Sequence, residues 1–213
     1  MFLLLNYKKN LNLNKVILRI NTFSVIDFKT VKKIVVNKLS QLNPDLTYHC
    51  LEHTLDVLQQ SERIASEEGV KSANDLMLLK IASLYHDTGF LFTYGNHEAK
   101  GCEIFMEDAE NFELTETDKN TIKALIMATQ IPQSPKTLLE RILCDADLDY
   151  LGRDDFFTIG NNLKKEFIKY KIVADENEWE KLQLKFLNNH HYHTESSRTL
   201  REPGKQKNFA AII

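Results

Sequence analysis

Chain breakers are scarce in this sequence of 213 residues, with 7 Gly and 4 Pro. So few over such a length exclude a fold of many short strands and tight turns and favour long helices. Cysteine is also sparse. Cys50, Cys102 and Cys144 are odd in number, far apart, and form no Cys-x-x-Cys pair. That excludes a disulfide framework and a thiolate zinc site, and it fits a reducing, cytoplasmic compartment. No strong excess of either charge exists: 27 basic against 30 acidic residues leave a net −3, which argues against a duplex nucleic-acid binder held by phosphate neutralisation. Nor is there an uninterrupted apolar run long enough to span a bilayer, so no membrane is expected as a partner. The opening Met1-Phe2-Leu3-Leu4-Leu5 is too short for a secretory core and has no small-residue cleavage site after it.

What is present is ordinary for a packed globule. Apolar residues make up 43% and charged residues 27%, too rich in large side chains for a disordered chain. Residues 1–27 read as a poorly defined leader, in which Val16-Ile17-Leu18-Arg19-Ile20 fits a short strand or part of a helix. Residues 28–213 read as a single helical domain. Apolar positions at helical spacing predict helices over 28–42, 46–68, 72–87, 97–110, 117–129, 137–151, 154–171 and 177–190. The third is apolar on most of its surface, with Leu76, Met77, Leu79, Ile81, Ala82 and Leu84, as a buried helix is. Thr137-Leu138-Leu139-Glu140 is a capping-box signature. A basic stretch after His190 reads as a solvated tail. No strand pair or repeat is found, so the fold class is all-α, one helical bundle.

Four pieces carry chemistry. His49 and His53 in Tyr48-His49-Cys50-Leu51-Glu52-His53 are four apart, which on a helix puts both on one face. His86-Asp87 follows the buried helix directly, and ionisable groups at the end of a buried segment need partners or a metal. Asn96-His97-Glu98 and Asp145-Ala146-Asp147-Leu148-Asp149 complete the set. Each piece alone also has a plain structural reading: a packing pair, a dipole-favoured histidine at a helix end, a solvated acidic face. Together they offer imidazole nitrogens and carboxylate oxygens, the donors that suit a divalent ion of intermediate hardness such as Mn, Fe, Zn, Co or Mg. Such an ion lowers the pKa of a bound water and neutralises charge on a phosphoryl oxygen. Glu52, Glu98 and Lys100 could orient the ligands, although surface positions suit them as well. In the tail, His190, His191 and His193 crowd together, but His190 and His191 cannot share one helix face. Arg198, Arg201 or Lys205 would hold a substrate phosphate if that segment folded back over the site.

These residues resemble the HD-domain superfamily of metal-dependent phosphohydrolases, whose signature is a histidine, an adjacent His-Asp pair and a distant aspartate, all on helices. The resemblance covers about residues 46–151. It implies an all-α fold and a divalent metal held by His53, His86, Asp87 and Asp147, with Asp145 as the alternative last ligand. Tyr48-His49 ahead of His53 is similar to the spacing in cyclic-nucleotide phosphodiesterases, which implies His49 as general acid; Asp87 is implied among the catalytic residues as well as the ligands. His97 sits where two-metal members carry an extra ligand. The companion histidine would fall near Ala128-Thr129-Gln130, where there is none. The expectation is therefore one firmly held ion, with His97 and Asp145 left for a second site or a substrate phosphate.

The function implied is hydrolysis of a phosphoester or phosphoanhydride of a small, nucleotide-like molecule. The alternative is a regulatory module that binds nucleotides with little turnover. A homo-oligomer stays open.

Overall fold

A computed structural model describes residues 27–212. The leader, with its strand-or-helix alternatives, falls outside the described residues. Those described form nine α-helices and two short 3-10 turns, without a strand. The fold is all-α, in agreement with the sequence. No described helix is long and apolar enough to cross a membrane.

The helices are α1 Phe28–Leu39, α2 Leu51–Glu67, α3 Ala73–Tyr85, α4 His97–Ala109, α5 Glu116–Ala128, α6 Leu138–Asp147, α7 Phe156–Lys169, α8 Glu176–Asn189 and α9 Glu195–Ala210. The 3-10 turns are Thr88–Leu91, after α3, and Asp149–Gly152, after α6. Local chemistry explains the starts. The Thr137 hydroxyl accepts from the Glu140 amide, and Glu140 accepts in return from the Thr137 amide, the box expected at the head of α6. Thr115 and Asp118 do the same for α5.

Helix α3 is the axis of the bundle and packs against α1, α2, α4, α5 and α6. Leu78, Leu79, Ile81, Ala82, Leu84 and Tyr85 cover more than half of its girth and are all buried. An isolated helix of this composition would leave several apolar faces in water. At ~25 cal/mol per Å² of apolar area, their burial is what holds it central. A second, smaller core joins Tyr48, Leu148, Tyr150, Leu151, Phe156 and Leu187, so it couples the segment before α2 to the C-terminal helices.

Two expectations are corrected here. The basic tail is a helix, α9, which packs on the Asp149–Gly152 turn and against α8. The Pro203-Gly204 pair, normally a turn signal, sits inside it. The reason is close approach: a Cβ on Gly204 would lie 2.1 Å from the Gly152 carbonyl oxygen, and one on Gly152 would lie 2.2 Å from that of Arg201. Backbones meet there, and only glycine permits it. The second correction concerns the helix expected over 46–68. It starts only at Leu51, with Cys50 in extended geometry before it. His49 is thus not on the same helix as His53. The Tyr48 and His49 amides are drawn off the helical path to donate to Glu166 Oε2, at 2.8 and 3.1 Å.

Candidate metal centre

Three helices end or begin at one point. Helix α2 carries His53 one turn from its start. Helix α3 ends at Tyr85, so that His86 caps it and Asp87 leads into the 3-10 turn. Helix α6 ends at Asp147. Ligand atoms of His53, His86 and Asp147 all lie within 4.8 Å of one another. His53 Nε2 stands 3.1 Å from Asp147 Oδ1 and 3.3 Å from Asp87 Oδ2. His86 Nε2 stands 3.2 Å from Asp87 Oδ2 and 3.6 Å from Asp147 Oδ1. Donors about 2.0–2.3 Å from a shared cation are spaced by distances of this size.

The donor atoms also fit a cation by what they lack. His86 Nε2 and Asp87 Oδ2 are buried and have no hydrogen-bond partner. Orphaned buried polar atoms cost about 1–3 kcal/mol each unless something binds them. His86 Nδ1 donates to the Ser83 carbonyl at 2.8 Å, which leaves the Nε2 lone pair aimed at the cluster. Electrostatics agree. Burial opposes a proton on His53, yet bonds to Asp147 and Asp87 hold its pKa up at about 9. Burial likewise opposes charge on Asp147, and His53 and His86 still hold it down to about 2. His86 is pushed up and Asp87 down in the same way. Without a cation, in other words, protons on the histidines take over its role.

The surroundings of this cluster sort the other candidates. His97, the first residue of α4, approaches Asp87 Oδ1 at 3.4 Å and the buried Glu98 at 3.5 Å. Gly89 makes that approach feasible, since a Cβ there would lie 1.9 Å from the His97 carbonyl oxygen. The rings of His49 and His97 both lie against Phe90, with centroids 4.1 and 4.0 Å from it, and are 6.0 Å from each other. His49 faces the same cavity as Asp87, His97 and Asp147. Thr129, at the position where a second histidine was looked for, lines that cavity too.

Asp145 is elsewhere. Its carboxylate accepts from the His193 amide, the Thr194 amide and the Thr194 hydroxyl, at 2.8, 2.8 and 2.6 Å. It anchors the start of α9, and it is Asp147, not Asp145, that this stretch brings to His53 and His86. Asp149 pairs with Arg63 and Arg201 at 2.6 and 2.9 Å. The acidic cluster is therefore not a solvated face: Asp145 and Asp149 are both fully buried. Arg201 is committed to Asp149, Arg198 to Glu195 and the Tyr192 and His193 carbonyls, and the buried Lys205 to the His190 carbonyl and Glu202. None of the three lines the cavity at the cluster, and the segment that was read as a solvated tail is packed instead. Lys100 pairs with Glu103 on the surface and orients nothing.

One polar residue escaped the sequence reading. Glu166 of α7 is fully buried. Besides the two amides, it accepts from His49 Nδ1 and from the Tyr94 hydroxyl, the latter at 2.8 Å. Burial opposes its charge, but the His49 contact and the amides keep its pKa below the usual glutamate value. Its signal was a carboxylate on an apolar helical stripe, with Ile159, Leu163, Phe167 and Tyr170 at neighbouring positions.

A bundle that gathers two imidazoles and two carboxylates from three helix ends around one point defines an all-α protein with a divalent-metal site. Residues 50–149 match the HD domain family model. Among solved structures, the fold is similar to a predicted HD superfamily hydrolase from an uncultured Thermotogales bacterium. That likeness has a TM-score of 0.62 at 17% identity and covers 92% of this chain and 94% of the other. It is equally similar to a Lactobacillus plantarum protein solved as a structural genomics target, with a TM-score of 0.62, 15% identity, and 88% and 95% of the two chains covered. No curated protein matches the sequence.

Proposed function

We propose that this protein is a metal-dependent phosphohydrolase that cleaves a phosphoester or phosphoanhydride of a small organic molecule. The single observation that carries the reading is the pair of orphaned donors, His86 Nε2 and Asp87 Oδ2, facing His53 and Asp147 beside a cavity. His53, His86, Asp87 and Asp147 would hold the ion. When bound, a divalent ion supplies Lewis acidity towards a phosphoryl oxygen and makes a water more acidic.

The chain's own groups do the rest. Glu166 accepts from His49 Nδ1, so that nitrogen keeps its proton, and the imidazolium form of the ring is the one that offers a second proton, on Nε2, to the cavity. The Phe90 stack prevents the ring from turning. His49 Nε2 thus hands its proton to the leaving oxygen as the P–O bond breaks. His97 and Glu98 line the same end of the cavity beside Asp87, where they orient a water.

The test is elemental analysis of the purified protein, joined to turnover on phosphomonoesters, phosphodiesters, nucleotides and pyrophosphate with Mn, Mg, Fe, Co and Zn. Hydrolysis of at least one class is expected, with Glu166→Gln lowering kcat about 10–100-fold while the bound metal stays stoichiometric. Saturable nucleotide binding without turnover under any ion would favour the regulatory module instead.

A further inference from the structure

The cavity beside the cluster has a volume of about 360 Å³, enough for a small organic molecule. Its walls divide sharply. At one end stand Asp87, Asp147, His49, His97 and Glu98. The remainder is mostly aliphatic and aromatic: Leu163 and Phe167 of α7, Ile172, and Trp179, Leu182 and Phe186 of α8. Away from the cluster, the Gln183 amide, the Trp179 indole N–H and the Thr129 hydroxyl are the side-chain groups there with hydrogen-bonding capacity, with the Tyr48 and Tyr150 hydroxyls nearer Asp147, and the Thr129 hydroxyl already donates to the Ile126 carbonyl. Among the described residues, neither lysine nor arginine lines this cavity. Ile131, Ile172 and Leu182, three of the few large apolar side chains left exposed, all sit on its wall and form an apolar mouth.

The nearest alternative for a charged substrate lies behind Tyr48 and Tyr150, where a polar cleft reaches His53 and Asp147 and includes Arg153. That guanidinium is already spent on Asp56 at 2.6 Å and Asp155 at 2.5 Å, and Glu52 and Asp56 share the cleft with it. Charge points the same way. Asp87, Asp147, Glu98 and the nearby Glu166 are acidic, and the groups that could face a phosphoryl oxygen with positive charge are the histidines and an ion held by the cluster. Each further phosphoryl charge of a di- or triphosphate would lie near these carboxylates with no lysine or arginine to meet it. A ribose and base would likewise lose several hydrogen bonds to water and find few partners in a mostly apolar wall.

From this we infer that the site takes a phosphomonoester with an apolar, aromatic or alkyl, organic body rather than a nucleoside polyphosphate. The inference rests on the phosphohydrolase reading and narrows its substrate. Water adds its oxygen to phosphorus, the bond from phosphorus to the ester oxygen breaks, and the products are inorganic phosphate and the free alcohol, which takes the proton from His49.

The experiment has two arms on the full chain with one divalent ion held constant. In the first, turnover is compared for ethyl, hexyl and 2-phenylethyl phosphate and for a nucleoside 5′-mono-, di- and triphosphate. The monoesters all release primary alcohols, so binding rather than leaving-group chemistry ranks them. In the second, the emission of Trp179, the only tryptophan, is followed while ethyl-, hexyl- and 2-phenylethylphosphonate or the same nucleotides are added. Expected are a kcat/KM at least tenfold higher for the hexyl or phenylethyl ester than for the ethyl ester and every nucleotide, and saturation of the Trp179 signal at tenfold lower concentrations of the corresponding phosphonates. Leu182→Gln should shrink both preferences to a few-fold. Equal rates across the series, a preference for di- or triphosphate, or a ranking unmoved by Leu182→Gln would overturn the inference. Absence of all turnover together with the expected phosphonate ranking would end the hydrolase reading and leave the cavity's preference standing.

Discussion

Asp145, Asp147 and Asp149 are spaced two apart on one short stretch, and each has a different task. A step of two residues turns a helix by about 200°, so neighbours in this series point in opposite directions. Asp147 faces His53 and His86; Asp145 faces away and collects three donors from the head of α9; Asp149, past the helix end, sits between Arg63 and Arg201. Substitution should separate the first two roles. Asp147→Asn is expected to lower metal retention at least tenfold in elemental analysis with little change in secondary structure. Asp145→Asn is expected to keep the metal and lose ~1–3 kcal/mol in urea denaturation, because an amide oxygen cannot satisfy three donors as a carboxylate does. A reversal of the two phenotypes would exchange the assignments.

At the scale of elements, the junction of α8 and α9 is sensitive to acid. His190 ends α8, its Nε2 is buried without a partner, and Lys205 of α9 lies 3.5 Å from Nδ1 while donating to the His190 carbonyl at 2.6 Å. Burial first, then the Lys205 charge and the neighbouring His193 and His191, push the His190 pKa down to about 3. The folded state therefore binds this proton less readily than the unfolded chain, whose histidine titrates near 6.5. Stability from this group is complete above about 6.5 and is lost as pH falls from there towards about 3, at a slope of at most ~1.4 kcal/mol per unit. Urea denaturation at pH 7, 5.5 and 4.5 reads the slope, and His190→Asn should flatten it. An identical slope in the variant would remove the junction as its cause.

For the molecule as a whole, the metal site ties the bundle together, since its donors come from α2, the end of α3 and the end of α6. A ligand that binds only the folded state adds about 2.7 kcal/mol when present at a hundred times its Kd. For a chain of this size that is roughly a 5–10 °C rise in Tm. Addition of Mn or Zn to chelator-stripped protein is expected to produce it, and His53→Ala should abolish it. An unmoved Tm in the wild type would mean that no ion binds the cluster. The matched HD region ends at residue 149, yet the wall of the cavity and the partner of His49 come from α7 and α8. The C-terminal helices thus complete a site that the N-terminal ones begin.

Much of this was readable from order and period alone. The all-round apolar pattern of 76–84 predicts a buried axis helix, the Thr137–Glu140 box predicts where α6 starts, and His86-Asp87 stands out because it directly follows a buried segment, while the resemblance to HD-domain proteins is what implied His53 and Asp147. These are short-range properties, set by the 3.6-residue repeat and by donors and acceptors a turn apart. Contacts between residues far apart in the chain were not readable. Glu166 meets His49 across more than a hundred residues and pulls the chain before α2 out of a helix; Gly152 and Gly204 let two backbones touch and turn a Pro-Gly stretch into helix; Asp145 anchors the start of α9. Sequence by itself determined which side chains could bind a cation, because that depends on residue type and local spacing. Only the tertiary structure decided which of them converge, because convergence depends on how whole helices pack, and no local pattern encodes that.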